Sequence, residues 1–215
     1  MNVTFHTPGD IEGESMRIIQ QELDEMGVTL EADCADVVRR AIHTTADFDY
    51  AKNLVFTPGA ASAGVAALRA GTPIVTDTNM ARSGINQKAC SQFRVERLCY
   101  MADPEVAQSA KANGTTRAVA AVDRWAQEYP NAIFAVGNAP TALLRMCELM
   151  EASKLRPALV IAVPVGFVNV VESKEAMLAL CRKQNVPAIV AMGRKGGSTV
   201  AAAICNALLY RTFER

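Results

Sequence analysis

The hydrophobic positions follow two patterns along this chain. Near the N-terminus, Ile11, Ile18, Ile19, Leu23 and Met26 recur at helical spacing and Gly27 is a natural stop, which predicts a helix over 11–26. A second helix opens near Asp33 and carries Val37, Val38, Ala41 and Ile42 on its apolar face, with Asp33 or Asp36 as its cap. Further on, the pattern becomes short, continuously apolar runs at 54–57, 73–76, 98–100, 132–136, 158–163 and 188–192, which read as strands. Helical patterns separate them: an Ala-rich stretch up to Ala70, then 116–129, 140–153, 173–184 and 198–212. Trp125 falls at helical spacing with Val122 and Tyr129 and is expected in the core. Continuously apolar strands alternating with helices predict an α/β fold: an open, mostly parallel sheet with helices on both faces and a helical N-terminal part. No repeat, low-complexity tract or flexible linker interrupts 1–215, so one domain is expected.

Composition narrows the function classes. Half of the chain is hydrophobic and 20% is charged, enough to bury a large core. Its 22 basic and 22 acidic side chains cancel. A broad electrostatic grip on nucleic acid or an anionic membrane is therefore excluded, and any anion site must be local. The opening Met1-Asn-Val-Thr-Phe-His-Thr-Pro8 has no basic, then apolar, leader pattern. No run reaches the ~18 apolar residues of a membrane span, so a cytoplasmic location is expected. Cys34, Cys90, Cys99, Cys147, Cys181 and Cys205 form no Cys-x-x-Cys pair and read as reduced thiols, not as disulfides or zinc ligands.

Ligands of open α/β sheets bind at the carboxyl ends of the strands, so the chemistry is sought in the strand-to-helix loops. The 76–84 segment is long and polar, with Thr78, Arg82 and Ser83 as donors. The 137–141 segment carries Asn138, and its Pro140 suits a first helical position. The 164–169 segment is followed by Glu172-Ser-Lys174. Sharpest is Gly193-Arg-Lys-Gly-Gly-Ser-Thr199. Gly196 and Gly197 let backbone approach a ligand, the following helix start favours an anion, and Arg194, Lys195 and Ser198 or Thr199 add charge and a hydroxyl. The same residues also fit an ordinary Gly-rich turn with Ser198 as helix cap. The segment matches neither the phosphate-loop pattern nor G-x-G-x-x-G, so a nucleotide reading loses its usual support. Arg117 opens the 116–129 helix, where the macrodipole disfavours a cation; it reads either as facing a bound anion or as facing solvent.

The sequence has only two histidines, His6 and His43. His6 lies in an N-terminal stretch expected to be mobile. His43 lies near the end of the second helix. If that helix persists, Arg39, His43 and Asp47 share one face with Arg40 beside them. Arg39 and Asp47 would then pull the imidazole in opposite directions and hold it near its switching point. A surface histidine on a charged face is the alternative reading. Asp47 and Asp49 read as a solvated turn in preference to a catalytic carboxylate pair.

With these residues in view, the sequence resembles the precorrin-8X methylmutase family of vitamin B12 biosynthesis. The resemblance covers nearly the whole chain. It rests on Ile11-Glu-Gly-Glu-Ser-Met16, Arg40-Ala-Ile-His-Thr-Thr-Ala-Asp47, Asp77-Thr-Asn-Met80 with Gly84-Ile85, Gly137-Asn-Ala-Pro-Thr-Ala-Leu143, Pro164-Val-Gly-Phe-Val168 with Glu172-Ser-Lys174, and Gly193-Arg-Lys-Gly-Gly-Ser-Thr-Val200. It implies an isomerase that moves a methyl group from C11 to C12 of a modified tetrapyrrole, by a shift usually described as [1,5]-sigmatropic. Precorrin-8X would become hydrogenobyrinate, or cobalt-precorrin-8 cobyrinate. The resemblance leans to the cobalt branch without a diagnostic residue. It further implies His43 as the acid catalyst, Ser15, Thr78, Arg117 and Lys195 as substrate contacts, a homodimer with active sites near the subunit interface, and no cofactor. Such a substrate is a large ring fringed with carboxylates. Helix N-termini and loop amides, with Arg39, Arg40, Asn138, Ser83, Gly84, Arg194, Gly196 and Ser198 beside them, suit its edge. Met80, Ile85, Phe167 and Val168 suit its faces. A phosphate- or nucleotide-binding α/β protein and a non-catalytic corrinoid carrier are the competing readings.

Overall fold

The computed structural model describes residues 8–213, with side chains from residue 11. Along the chain lie α1 (Pro8–Glu25), α2 (Ala35–Thr45), α3 (Tyr50–Asn53), β1 (Leu54–Phe56), α4 (Ala60–Arg69) and β2 (Ile74–Thr76). Then come α5 (Asn79–Gly84), α6 (Gln87–Gln92), β3 (Arg97–Leu98), α7 (Pro104–Ala112), α8 (Arg117–Glu128) and β4 (Ile133–Val136). The remainder is α9 (Pro140–Glu151), β5 (Leu159–Ala162), α10 (Val170–Gln184), β6 (Ala188–Ala191) and α11 (Ser198–Arg211).

The strands form one sheet in the order β1-β6-β5-β4-β2-β3. β2 through β6 are parallel, with Ile74 opposite Ile133, Ile133 opposite Leu159 and Ile161 opposite Ile189. Side chains alternate along each strand between two cores. Ile74, Ile133, Ala135, Leu159, Ile161 and Ile189 face a layer built on α1, α2, α4, α5, α6 and α11. Val75, Phe134, Val136, Val160, Ala162 and Val190 face α7, α8, α9 and α10. Trp125 is fully buried in the second layer, 5.7 Å from the Phe134 ring. The expected α/β architecture with helices on both faces is therefore present.

The sheet is mostly parallel, as expected, and several local expectations are corrected. The one antiparallel strand is β1, paired with β6 with Leu54 opposite Ala191. The chain reaches β1 straight from the carboxyl rim of the sheet through α3, without a crossover helix, so it must run back down. The 76–84 segment is not all loop: its second half is α5, capped by Thr78, whose Oγ1 accepts from the Ala81 amide at 3.1 Å. Short helices α6 and α7, capped by Asn86 and Asp103, occupy stretches assigned no element. The strand expected at 98–100 is Arg97–Leu98. Cys34, not Asp33 or Asp36, holds the cap position of α2 and makes no side-chain capping bond, because both aspartates turn to Arg211. Gly197, not Ser198, is the cap residue of α11.

All six cysteines are free; Cys99 and Cys147 are only partly buried. Burial raises these thiols, Cys147 to about 11, so they stay protonated and unreactive at neutral pH. No helix among the described residues is long and apolar enough to cross a membrane. His6 lies outside the described residues.

Candidate active site at the carboxyl rim of the sheet

β3 and β4 flank β2 on opposite sides, so the chain reverses direction across the sheet at β2 and β4. Crevices at such reversals are where α/β sheets receive ligands. Here Asp77 follows β2 and is buried. Its carboxylate accepts the amides of Gly137 (2.8 Å), Asn138 (2.8 Å) and Ala139 (2.7 Å) at the start of α9. Burial nevertheless holds the carboxyl above its ordinary range, with those amides pulling it back down. The anion-binding end of α9 is thus filled by the protein's own aspartate. Asn138 can offer a ligand only its exposed side chain.

The 193–197 loop crosses from β6 over the end of β5. Gly197 donates to Val163 O at 2.8 Å, and a Cβ on Gly196 would sit 2.1 Å from that same oxygen. Only glycine fits there, at φ 158°. The crossing ends against Gly137, whose own Cβ would meet Ser198 Cα at 2.8 Å. Ser198 Oγ then pairs with Thr78 Oγ1 at 2.7 Å, joining the starts of α5 and α11. The first turn of α11 has no side-chain cap, which leaves its leading amides directed at the rim. Beneath the loop lies Lys174, fully buried on α10. Its ammonium donates to Gly193 O (2.9 Å) and Lys195 O (2.8 Å). Burial pushes it down to about 8.

α2 and α11 pack antiparallel and are clasped at both ends. Arg211 meets Asp33 and Asp36 at one end. At the other, Lys195 Nζ lies 2.6 Å from both Asp47 and Asp49. These hydrogen bonds raise the Lys195 ammonium and hold Asp47 below the usual carboxylate range. These carboxylates lie in a surface turn, as expected, and from it they grip the loop. α2 stops at Thr45 because Ala46 adopts a left-handed conformation (φ 53°), so Asp47 leaves the helical face it was expected to share with Arg39 and His43. His43 is exposed in the last turn of α2, at the rim, and its imidazole makes no hydrogen bond among the described residues.

The other expected residues divide into rim and scaffold. Phe167, Val168 and Met80 are exposed by 82%, 75% and 67%, an unusual cost in water for apolar side chains clustered at strand ends. Arg194 stacks its guanidinium 5.4 Å from the Phe167 ring centre. Arg117 is exposed in the first turn of α8, whose cap Thr116 reaches Thr141 of α9 at 3.4 Å. Ser83 is exposed. Ile85 is 1% exposed and belongs to the core, so it cannot cover a ligand face. Gly84 packs against Ala202, and its carbonyl accepts from Asn206 at 2.9 Å, so its role is helix packing. Arg40 pairs with Glu12 at 2.7 Å and lies over the Tyr210 ring. Arg39 donates to Gln20 at 2.7 Å. Both arginines thus fasten α1 and α11 to α2. Ser15 Oγ donates to Ile11 O within α1.

Sequence reasoning assigned no role to Asp77 or Lys174. Lys174 had a readable signal: with Met177, Leu178 and Cys181 it lies on the buried stripe of α10. Asp77 gave less, because its partners lie 60 to 62 residues away.

A doubly covered sheet with polar, cationic and exposed apolar groups at its switch point defines an α/β protein, with the chemistry that an anionic, partly apolar ligand would require at that rim. Residues 10–211 match the family model CbiC, precorrin-8X methylmutase, and the chain belongs to that family. Cobalt-precorrin-8 methylmutase of Salmonella typhimurium strain LT2 is 48% identical over 179 residues, 83% of this chain and 81% of that protein. Its counterpart in Leptospira interrogans is 40% identical over 96% of this chain and 94% of its own. Precorrin-8X methylmutase of Pseudomonas aeruginosa is 37% identical over 91% of each chain. The crystal structure of precorrin-8X methylmutase from Thermus thermophilus matches with a TM-score of 0.83 and 41% identity, covering 94% of this chain and 96% of that one.

Proposed function

We propose that this chain is a methylmutase of cobalamin biosynthesis that moves a methyl group from C11 to C12 of a precorrin-8 ring, with His43 as general acid. The reaction is an isomerisation: no atom is gained or lost, and no redox partner is needed. A proton or hydrogen bond given by His43 to the macrocycle lowers the barrier to migration and returns to the imidazole when the product ring forms. The carrying observation is the contact of Lys195 with Asp47 at 2.6 Å, which brings the end of the His43 helix to the 193–197 loop. Acid and anion grip then act on one ligand.

Ring carboxylates meet Lys195, Arg194, Arg117, the hydroxyls of Thr78 and Ser198, and the leading amides of α11; Ser15, Ser83 and Asn138 lie at the margin. Met80, Phe167 and Val168 cover the ring faces. The 48% identity to the cobalt-precorrin-8 methylmutase of Salmonella typhimurium supports cobalt-precorrin-8 as substrate. The same exposed apolar residues support a homodimer whose second subunit completes the cover of the ring. The chain acts as one domain, in the cytoplasm.

The test is anaerobic incubation with precorrin-8X, and separately with its cobalt form, following the visible spectrum and the product mass. A corrin spectrum at unchanged mass is expected. Binding without conversion of either substrate would leave a carrier.

A further inference from the structure

We propose that Lys174 is a positioning residue that turns the 193–197 loop into a carboxylate-binding cradle of backbone amides. The proposal rests on the anion-binding reading of this rim and names the groups that would perform it. Lys174 is wholly buried, yet no carboxylate pairs with it among the described ion pairs. Glu172 and Glu175, beside it on α10, are exposed. Its ammonium spends its donors on two carbonyls that flank a single residue, Gly193 O and Lys195 O. Burying a cation is costly, and backbone carbonyls alone repay it poorly.

That cost has a geometric return. A trans peptide directs its N–H opposite to its C=O. Drawing Gly193 O and Lys195 O down to the ammonium therefore turns the amides of Arg194 and Gly196 away from it, toward the rim. Neither amide donates to another backbone group among the described bonds. Two outward amides, next to the uncapped start of α11 and with the Arg194 and Lys195 side chains on the same loop, make a concave donor set suited to a carboxylate. The counter-charge that Lys174 lacks is then supplied by the ligand, through the loop.

The test compares wild type with Lys174→Met, which keeps length without donors, and Lys174→Gln, which keeps one donor group. In ligand-free protein, the amides of Gly197 and Ala201, which donate to Val163 O and Gly197 O, should exchange with deuterium about tenfold faster in Lys174→Met, with those of β4 and β5 unchanged. Hydrogenobyrinate, titrated by its visible spectrum, should bind about tenfold more weakly, and the KM for precorrin-8X should rise similarly while kcat stays within about threefold. Lys174→Gln should fall between. Wild-type exchange and affinity in Lys174→Met would overturn the proposal. So would failure of both variants to fold, which would make Lys174 a general core element. If wild type turned over neither precorrin-8X nor its cobalt form, the methylmutase reading would fall, and the exchange comparison would still judge Lys174 because it uses no substrate.

Discussion

Lys195 Nζ lies 2.6 Å from a carboxylate oxygen of Asp47, a residue 148 positions earlier in the chain. A second bond of 2.6 Å runs to Asp49, whose amide in turn donates to Asp47 Oδ1. The group is too open to water to add much stability. It commits the lysine before any ligand arrives, so a ligand carboxylate must compete for it. Replacing both aspartates by asparagine should tighten hydrogenobyrinate binding a few-fold, by less than about 1 kcal/mol, and leave the melting temperature nearly unchanged. Titration of the double variant alongside a thermal melt checks both.

His43→Ala should lower kcat by about 10²–10⁴-fold, the usual contribution of a placed general acid, while product affinity changes little. The exposed imidazole makes no hydrogen bond among the described residues, so folding should be unaffected. Turnover at the wild-type rate would remove the acid assignment.

Asp77→Asn sets an amide NH₂ against the amides that now donate to the carboxylate. Oδ2 accepts from both Asn138 and Ala139, and Oδ1 from Gly137, so either orientation leaves buried donors facing donors. A loss of about 2–4 kcal/mol in unfolding free energy is expected from urea titration.

Gly137→Ala should also destabilise, by a different route. The new methyl would press on backbone atoms, Ser198 Cα at 2.8 Å and Gly197 O at 2.9 Å, which cannot rotate aside. A cost of about 1–3 kcal/mol is expected, together with loss of turnover as the start of α11 shifts. Denaturant unfolding and a steady-state assay measure the two effects.

Lys174 carries a pH signature. Burial lowers its ammonium to about 8, whereas an unfolded lysine keeps its proton to about 10.4. Between these values the unfolded chain binds more protons than the folded one, so this residue's contribution to stability rises with pH. The unfolding free energy of wild type minus that of Lys174→Met should be flat below pH 8 and climb from there to about 10.4. A flat difference throughout would show that Lys174 titrates normally.

The sheet was legible because its strands are buried on both faces, which leaves continuous apolar runs such as Leu159-Val-Ile-Ala162. Strand direction has no such signature. β1 reads like its neighbours yet runs opposite to them, because the path of the preceding chain sets its direction. α5 is six residues long, too short for a periodic stripe to declare itself, although its Thr78 cap was readable. Ile85 has the sequence neighbours of a ligand-facing residue, whereas packing buries it. The face expected for Arg39, His43 and Asp47 breaks at Ala46, a left-handed residue of a type that does not favour that conformation. The loops of the candidate site stand out because Gly, Pro and charged residues cluster there. Contacts such as Asp77 with Gly137, or Thr78 with Ser198, depend on the sheet bringing distant segments together.

The two outermost strands are short, three residues in β1 and two in β3. Each offers too few open backbone groups to template a neighbouring chain. Strand-by-strand addition, the common start of fibrous aggregation, finds little purchase on this molecule. Association between copies is therefore expected to proceed through side-chain surfaces, the exposed apolar rim among them.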